Sequence, residues 1–227
     1  MTRITKHLVN LRERISSACA AAGRNENEVS LLAVSKRHSA AAVTEAFAAG
    51  LPAMGENYVQ EALAKMPLCP AAVVWHFIGK LQSNKTRAVA EHFDWVQTVT
   101  SLKLAERLNA QRPAGRAPLN VCVQIQTDRE GLHGGVPPDS AAALCAGILE
   151  LPQLRLRGLM TIPAPATSLA DQRAPLRLCA ELYRDLQQTG LPLDTLSMGM
   201  SGDLEAAVLE GSTLLRIGTA IFGPRTP

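Results

Sequence analysis

"SLLAVSKRHSAAAVTEAFAAG", residues 30–50, reads as a short buried strand that runs directly into a helix. The apolar run over residues 30–36 is strand length rather than helix length. Ser39 is placed to cap the helix behind it, and Gly50 is placed to close that helix. With the period of two that strands impose, Leu32, Val34 and Lys36 share one face.

The same unit recurs to the end of the chain. Strands are expected over 52–58, 73–79, 94–99, 119–126, 154–160, 193–199 and from 212 on. Helical stretches lie between them, over 59–66, 84–93, 101–112, 138–151, 171–189 and 203–211. Strands separated one by one by helices imply parallel pairing with right-handed crossovers. That leaves an open doubly wound sheet or a closed barrel. Eight units in about 220 residues suit a compact (β/α)8 barrel. No GxGxxG follows the first strand, which weakens the dinucleotide-binding alternative. The expected fold is therefore α/β, a single TIM-type (β/α)8 barrel domain over residues 1–227. An extra helix over 4–22 precedes it, with Ile4, Leu8, Leu11 and Ile15 at helical spacing and Gly23 as its stop.

Composition narrows the class. Of the 227 residues 47% are hydrophobic and 19% charged, as in an ordinary globular protein, and the net charge of +3 is spread along the chain. This argues against a nucleic-acid footprint and leaves room for a small anionic ligand. Five widely spaced cysteines without any CxxC suggest reduced thiols, not a zinc site or a disulfide framework. The five histidines show no ligand spacing, so no metal is expected. No signal-peptide pattern opens the chain and no run reaches the ~18 apolar residues of a membrane span, so the expectation is a cytoplasmic protein without a membrane partner.

In a barrel the ends of the seventh and eighth strands commonly hold phosphate. Strand seven ends in "MGMSGD", where Ser201 offers a hydroxyl, Gly202 permits close approach and the next helix begins. Met200 stands in the same turn. Strand eight ends in "RIGT", where Gly218 and Thr219 offer further N–H groups and a hydroxyl. Ser201 or Asp203 could equally cap the following helix, with Asp203 expected to point back along it. Lys36 stands at the mouth of strand one, where desolvation would free an amine as a nucleophile, but with Arg37 and His38 behind it the local context reads as a solvated loop lysine. Arg216, mid-strand, needs either a structural carboxylate or a ligand as its partner. Asn57 and His76 sit near the ends of strands two and three and are candidates for the same pocket.

These segments resemble the pyridoxal-phosphate homeostasis proteins, also called the YggS or PROSC family. The matching stretches are "LLAVSK", "GENYVQEA", "WHFIGKLQSNK", "LRLRGLM", "LSMGMSGDLEAA" and "GSTLLRIGTAIFG", in the family's order from about residue 30 to 223. The resemblance implies a barrel similar to the N-terminal domain of alanine racemase, binding pyridoxal phosphate as a Schiff base on Lys36. Ser201, Gly218 and Thr219 would hold the phosphate and Arg216 would face the pyridine nitrogen. The family's asparagine after strand five and its nearby lysine are replaced here by Gln126 and His133, so the resemblance does not supply a second amine.

Two functions follow. One is a cofactor carrier in vitamin B6 homeostasis, without turnover, a monomer that passes pyridoxal phosphate to apo enzymes that depend on it. The other is a racemase-like amino-acid enzyme on the same cofactor. Racemization needs an acid/base on each face of the substrate, and the racemase-like fold takes one, a tyrosine, from a second domain. Tyr58 and Tyr183 fall at helical positions instead. A barrel binding another organic phosphate is a third reading.

Overall fold

The computed structural model describes residues 2–128 and 132–224. Eight strands form one closed, all-parallel barrel in chain order: β1 (Ser30–Val34), β2 (Ala53–Glu56), β3 (Val74–Phe77), β4 (Trp95–Val99), β5 (Leu119–Gln124), β6 (Leu154–Met160), β7 (Thr195–Ser197) and β8 (Leu214–Ile217). The helices are α1 (Arg3–Ala22), α2 (Ala40–Ala48), α3 (Val59–Lys65), α4 (Thr86–His92), α5 (Leu102–Gln111), α6 (Ala141–Leu149), α7 (Leu169–Gln188), α8 (Leu204–Leu209) and α9 (Thr219–Phe222). β8 pairs with β1 through Ser30–Ala33, so the open-sheet alternative is excluded. No described helix is long and apolar enough to cross a membrane. All five cysteines are free thiols.

The alternation expected for β1 holds. Leu32 and Val34 join Ile78 and Leu214 in a small apolar cluster inside the barrel. The outward face packs into a separate, larger core between the sheet and the helices. Ser39 caps α2 by accepting the Ala42 N–H, and Gly23, at φ +64°, closes α1.

The strand expected over 30–36 stops at Val34. Ser35 still donates its N–H to Gly55 O, but the next residues turn, and Arg37 takes φ +63°, a left-handed conformation unusual for a residue with a Cβ. A buried ionic cluster holds this turn. Lys65 on α3 donates to Glu56 Oε1 at 2.6 Å, to Glu61 Oε1 at 3.0 Å and to the Ser35 carbonyl at 2.9 Å. Ser35 Oγ also donates to Glu56 Oε1, and Glu61 accepts the Arg37 N–H. Glu56 is fully buried, which raises its carboxyl pKa, while Lys65 and Ser35 pull the other way. The residue between Ser35 and Arg37 is Lys36, so the cluster fixes the backbone that presents it.

On the adjoining side, where β8 pairs with β1, α1 ties down the ends of α8 and α9. Arg14 reaches Glu205 at 2.7 Å and the Ser201 carbonyl at 3.2 Å, and Arg3 and His7 hold the carbonyls of Phe222 and Ile221. The expected extra helix therefore braces the loops after β7 and β8.

Removing one partner of a buried pair strands the other charge. Lys65→Met is expected to lower unfolding free energy by ~3–5 kcal/mol in urea titrations, and adding Glu56→Leu to it to recover part of that loss. A loss below ~1 kcal/mol, the range of an exposed pair, would contradict this account of the turn.

Candidate functional site

The C-terminal ends of the strands surround a cavity of about 240 Å³. Lys36 enters it from the turn after β1, Asn57 from just after β2, and Met200, Ser201 and Gly202 from the loop after β7. Gly218 and Thr219 close it after β8, and Arg216 lies in its wall. All the residues expected at the site thus meet there except His76.

The β7 loop owes its shape to a glycine other than the expected one. Gly199 has φ +95°, and a Cβ on it would stand 2.5 Å from Ala207 Cβ and 2.7 Å from Leu215 Cδ2. Gly202 has no such neighbour: a Cβ there would meet nothing within 4 Å. Neither Ser201 nor Asp203 caps α8 with its side chain. Ser201 Oγ instead accepts from Ala220 N at 3.3 Å, which joins the two loops across the cavity. The Asp203 carboxylate does not point back along its helix. Its Oδ1 accepts the Met200 N–H at 2.5 Å, because that amide in the tight turn has no other acceptor and a charge-assisted bond satisfies it. Burial raises the Asp203 pKa, with the Met200 N–H and the Arg216 charge opposing.

Arg216 is buried, 3% exposed, and no carboxylate among the described residues bonds it. Nη1 donates to Ser197 O at 2.7 Å and Ser197 Oγ at 2.8 Å, and Nη2 to Thr161 O at 2.7 Å. Burial pushes its pKa down to about 10, with Asp203 opposing, so it stays charged at neutral pH. Of the two partners expected of a mid-strand arginine, a structural carboxylate or a ligand, the first is replaced by the carbonyls of Ser197 and Thr161 and the Ser197 hydroxyl.

His76 belongs to the other end of the barrel. It pairs with Trp95, the first residue of β4, and stacks on that ring at 4.9 Å. The stagger of tilted strands puts a residue near the end of β3 level with the beginning of β4. Burial, then the charge of Arg157, lowers its pKa to about 3, so its imidazole is neutral. It lines a larger cavity of about 870 Å³ at the N-terminal ends of the strands, where Arg157 and Asp194 pair at 2.8 Å. In this architecture chemistry sits at the C-terminal face, and the N-terminal face serves stability.

Sequence reasoning missed His38, Ile78 and Ile162 as lining residues. His38 stacks on Phe222 at 4.7 Å, a contact between residues far apart in the chain. Val34, also lining, was reachable from the face it shares with Lys36. Asn57 Oδ1 is buried and has no hydrogen-bond partner. Asn57 is held by Gly79, where a Cβ would lie 2.1 Å from the Asn57 carbonyl oxygen. Gln126 and His133 do not reach the cavity: Gln126 Nε2 donates to Asp128 O, and His133 Nδ1 lies 3.7 Å from Asp128 Oδ2. Neither tyrosine lines it; Tyr58 is exposed, and Tyr183, buried on α7, accepts from Gln187.

Residues 7–226 match the family described as "Alanine racemase, N-terminal domain". A "Pyridoxal phosphate homeostasis protein" of Pseudomonas aeruginosa is 53% identical over 226 residues, covering 99% of this chain and 97% of the relative. PipY of Synechococcus elongatus, solved with PLP bound, is 40% identical with a TM-score of 0.84, covering 97% of this chain and all of that one. An alanine racemase of Clostridium difficile shares the fold alone, at 15% identity and a TM-score of 0.74, over 94% of this chain and 56% of its own. Built on that barrel and matched almost end to end by such relatives, the chain belongs to the alanine racemase N-terminal domain family and, within it, to the pyridoxal phosphate homeostasis proteins.

Proposed function

We propose that residues 1–227 form one pyridoxal phosphate-binding domain, a cytoplasmic monomer that carries the cofactor as a Schiff base on Lys36 and passes it on, without turnover. The recipients would be apo enzymes that depend on it, which places the protein in vitamin B6 homeostasis. The observation that carries this reading is the convergence of Lys36, Arg216, Ser201, Gly218 and Thr219 on one small cavity at the strand ends. The donor set fits the group. The cavity is somewhat smaller than the ~300–1,000 Å³ of typical ligand pockets, which suits a compact ligand. The unpartnered Asn57 Oδ1 awaits a donor, and Gly202 leaves open space beside the loop.

When bound, pyridoxal phosphate supplies an aldehyde that condenses with an amine and a ring that can withdraw electrons. The rest is done by the chain. Lys36 is the amine. Ser201 and the backbone of Gly218 and Thr219 offer hydroxyl and N–H donors to the phosphate, and Met200 and Asn57 line the cavity. Arg216 faces the pyridine nitrogen; it has donors only and stays protonated, so it bonds that nitrogen without readily giving it a proton. An unprotonated ring is a weak electron sink, which favours holding the cofactor over carbanion chemistry. His76 does not line this cavity.

The alternative, a racemase-like enzyme, has one observation on its side: the His38 ring lines the same cavity. Against it stands the absence of a tyrosine among the described lining residues.

The purified protein is expected to absorb near ~420 nm with pyridoxal phosphate, and borohydride should fix the cofactor on the peptide containing Lys36. No absorbance and no labelled peptide would remove both readings. Incubation with alanine and serine, followed by chirality and α-proton exchange, separates them: turnover of ~1 s⁻¹ would overturn the carrier. Ser201→Ala, which removes one bond to a charged group, should weaken pyridoxal phosphate binding about tenfold in equilibrium dialysis.

A further inference from the structure

Arg216 is one end of a hydrogen-bond chain that crosses the interior of the barrel. From Arg216 Nη1 to Ser197 Oγ is 2.8 Å, from Ser197 Oγ to Gln97 Oε1 is 2.6 Å, and from Gln97 Nε2 to His76 Nδ1 is 3.0 Å. All four side chains are buried. Their hydrogens can be assigned by elimination. A guanidinium only donates, so Ser197 Oγ accepts from it and must give its own proton away. Gln97 Oε1 is the acceptor, which turns the amide N–H₂ toward His76. Reversing the amide would leave the Ser197 hydroxyl proton without an acceptor among its bonded neighbours. His76 Nδ1 therefore accepts, and its ring proton sits on Nε2. Trp95 stacks on that ring with 8° between planes, and Arg157 stands 4.6 Å above Trp95, so the far end is anchored.

We propose that Gln97 and Ser197 are positioning residues for Arg216: the one-way chain ending on His76 holds the guanidinium so that its remaining N–H groups stay committed to the cavity and to the ring nitrogen of the bound cofactor. The inference rests on the pyridoxal phosphate reading above and deepens it. Each link is neutral, so the chain orients Arg216 without cancelling its charge. A carboxylate in the place of Gln97 would do the first at the expense of the second. Gln97 bonds Ser197 and His76 and is not among the described residues that line the cavity, so its effect on Arg216 travels through the Ser197 hydroxyl.

The test compares two ligands that differ only at the ring nitrogen: pyridoxal phosphate, and an analogue in which C–H replaces that nitrogen. Wild-type protein should prefer pyridoxal phosphate about tenfold, as one hydrogen bond to a charged group allows. In Gln97→Leu the preference should fall close to one, with borohydride labelling of Lys36 retained. Ser197→Ala should do the same and serves if the first variant does not fold. A variant that loses thermal stability yet keeps the tenfold preference shows a structural role only and overturns the proposal. Wild-type protein that binds neither ligand overturns the cofactor reading itself, which is a distinct result. Nitrogen NMR of the ligand-free wild type gives a second readout: the His76 proton is expected on Nε2, and finding it on Nδ1 would reverse the chain and overturn the assignment.

Discussion

A guanidinium buried inside a barrel with three oxygen contacts and no bonded carboxylate among the described residues is the constraint around which the rest is arranged. An isolated charge is expensive to bury, so each oxygen near it must be aimed. The Ser197 carbonyl and hydroxyl come from the end of β7 and the Thr161 carbonyl from just past β6. They converge only because β6, β7 and β8 lie side by side in a closed sheet. Thr161 is fixed in turn by its N–H to Ser197 O and its hydroxyl to Ile125 O, which carries the constraint across to β5. Closure of the barrel and tolerance of Arg216 are thus one condition.

The two walls of the cavity are held by different physics. On the β1 side the Lys36 turn is clamped by charges, Lys65 against Glu56 and Glu61, in surroundings that exclude water from Glu56. Such a pair contributes little net energy, since desolvation offsets most of the attraction, but it penalises every other arrangement of the turn. On the β7–β8 side the loops are held through backbone carbonyls, taken up by Arg14, Arg3 and His7 of α1. The N–H groups of Ile221 and Phe222 close onto Gly218 O, and that of Ala220 onto Ser201 Oγ, so the two loops are fixed from both halves of their peptide groups.

The architecture is legible in the sequence because strand and helix periods differ and each unit carries its own punctuation. Ser39 and Gly50, for example, mark α2 without reference to anything distant. Ser201 and Gly218 are legible for the same reason, since they end units whose order is fixed by the chain; Lys36 reads locally as a solvated loop lysine, and only the family resemblance singles it out. Contacts that depend on stagger are not legible. His76 reads as a strand-end residue, yet pairing with Trp95 sends it to the opposite mouth. The partners of Arg216 lie 19 and 55 residues away, two of them backbone carbonyls and one the Ser197 hydroxyl, which no residue pattern announces. Gln97 and Ser197 are 100 residues apart and look like ordinary polar positions in short strands. Asp203 reads as a helix cap by composition, but a turn amide one step earlier competes for it and wins.

The same interior argues for how the proposed cofactor would be treated. A carboxylate opposite a pyridine nitrogen can share a proton with it and strengthen the ring as an electron sink. Here the nitrogen would face Arg216, and the chain behind Arg216 contains only a hydroxyl, an amide and a neutral imidazole. Asp203, a carboxylate whose charge acts on Arg216, is engaged by the Met200 amide. No group in that line is positioned to supply the nitrogen with a proton, so on the proposed reading the ring would stay in its weakly withdrawing form. Lys36 would then have a cofactor that it could hold and surrender by exchange of amines, while the carbanion step that would make an enzyme of the barrel would gain little from it.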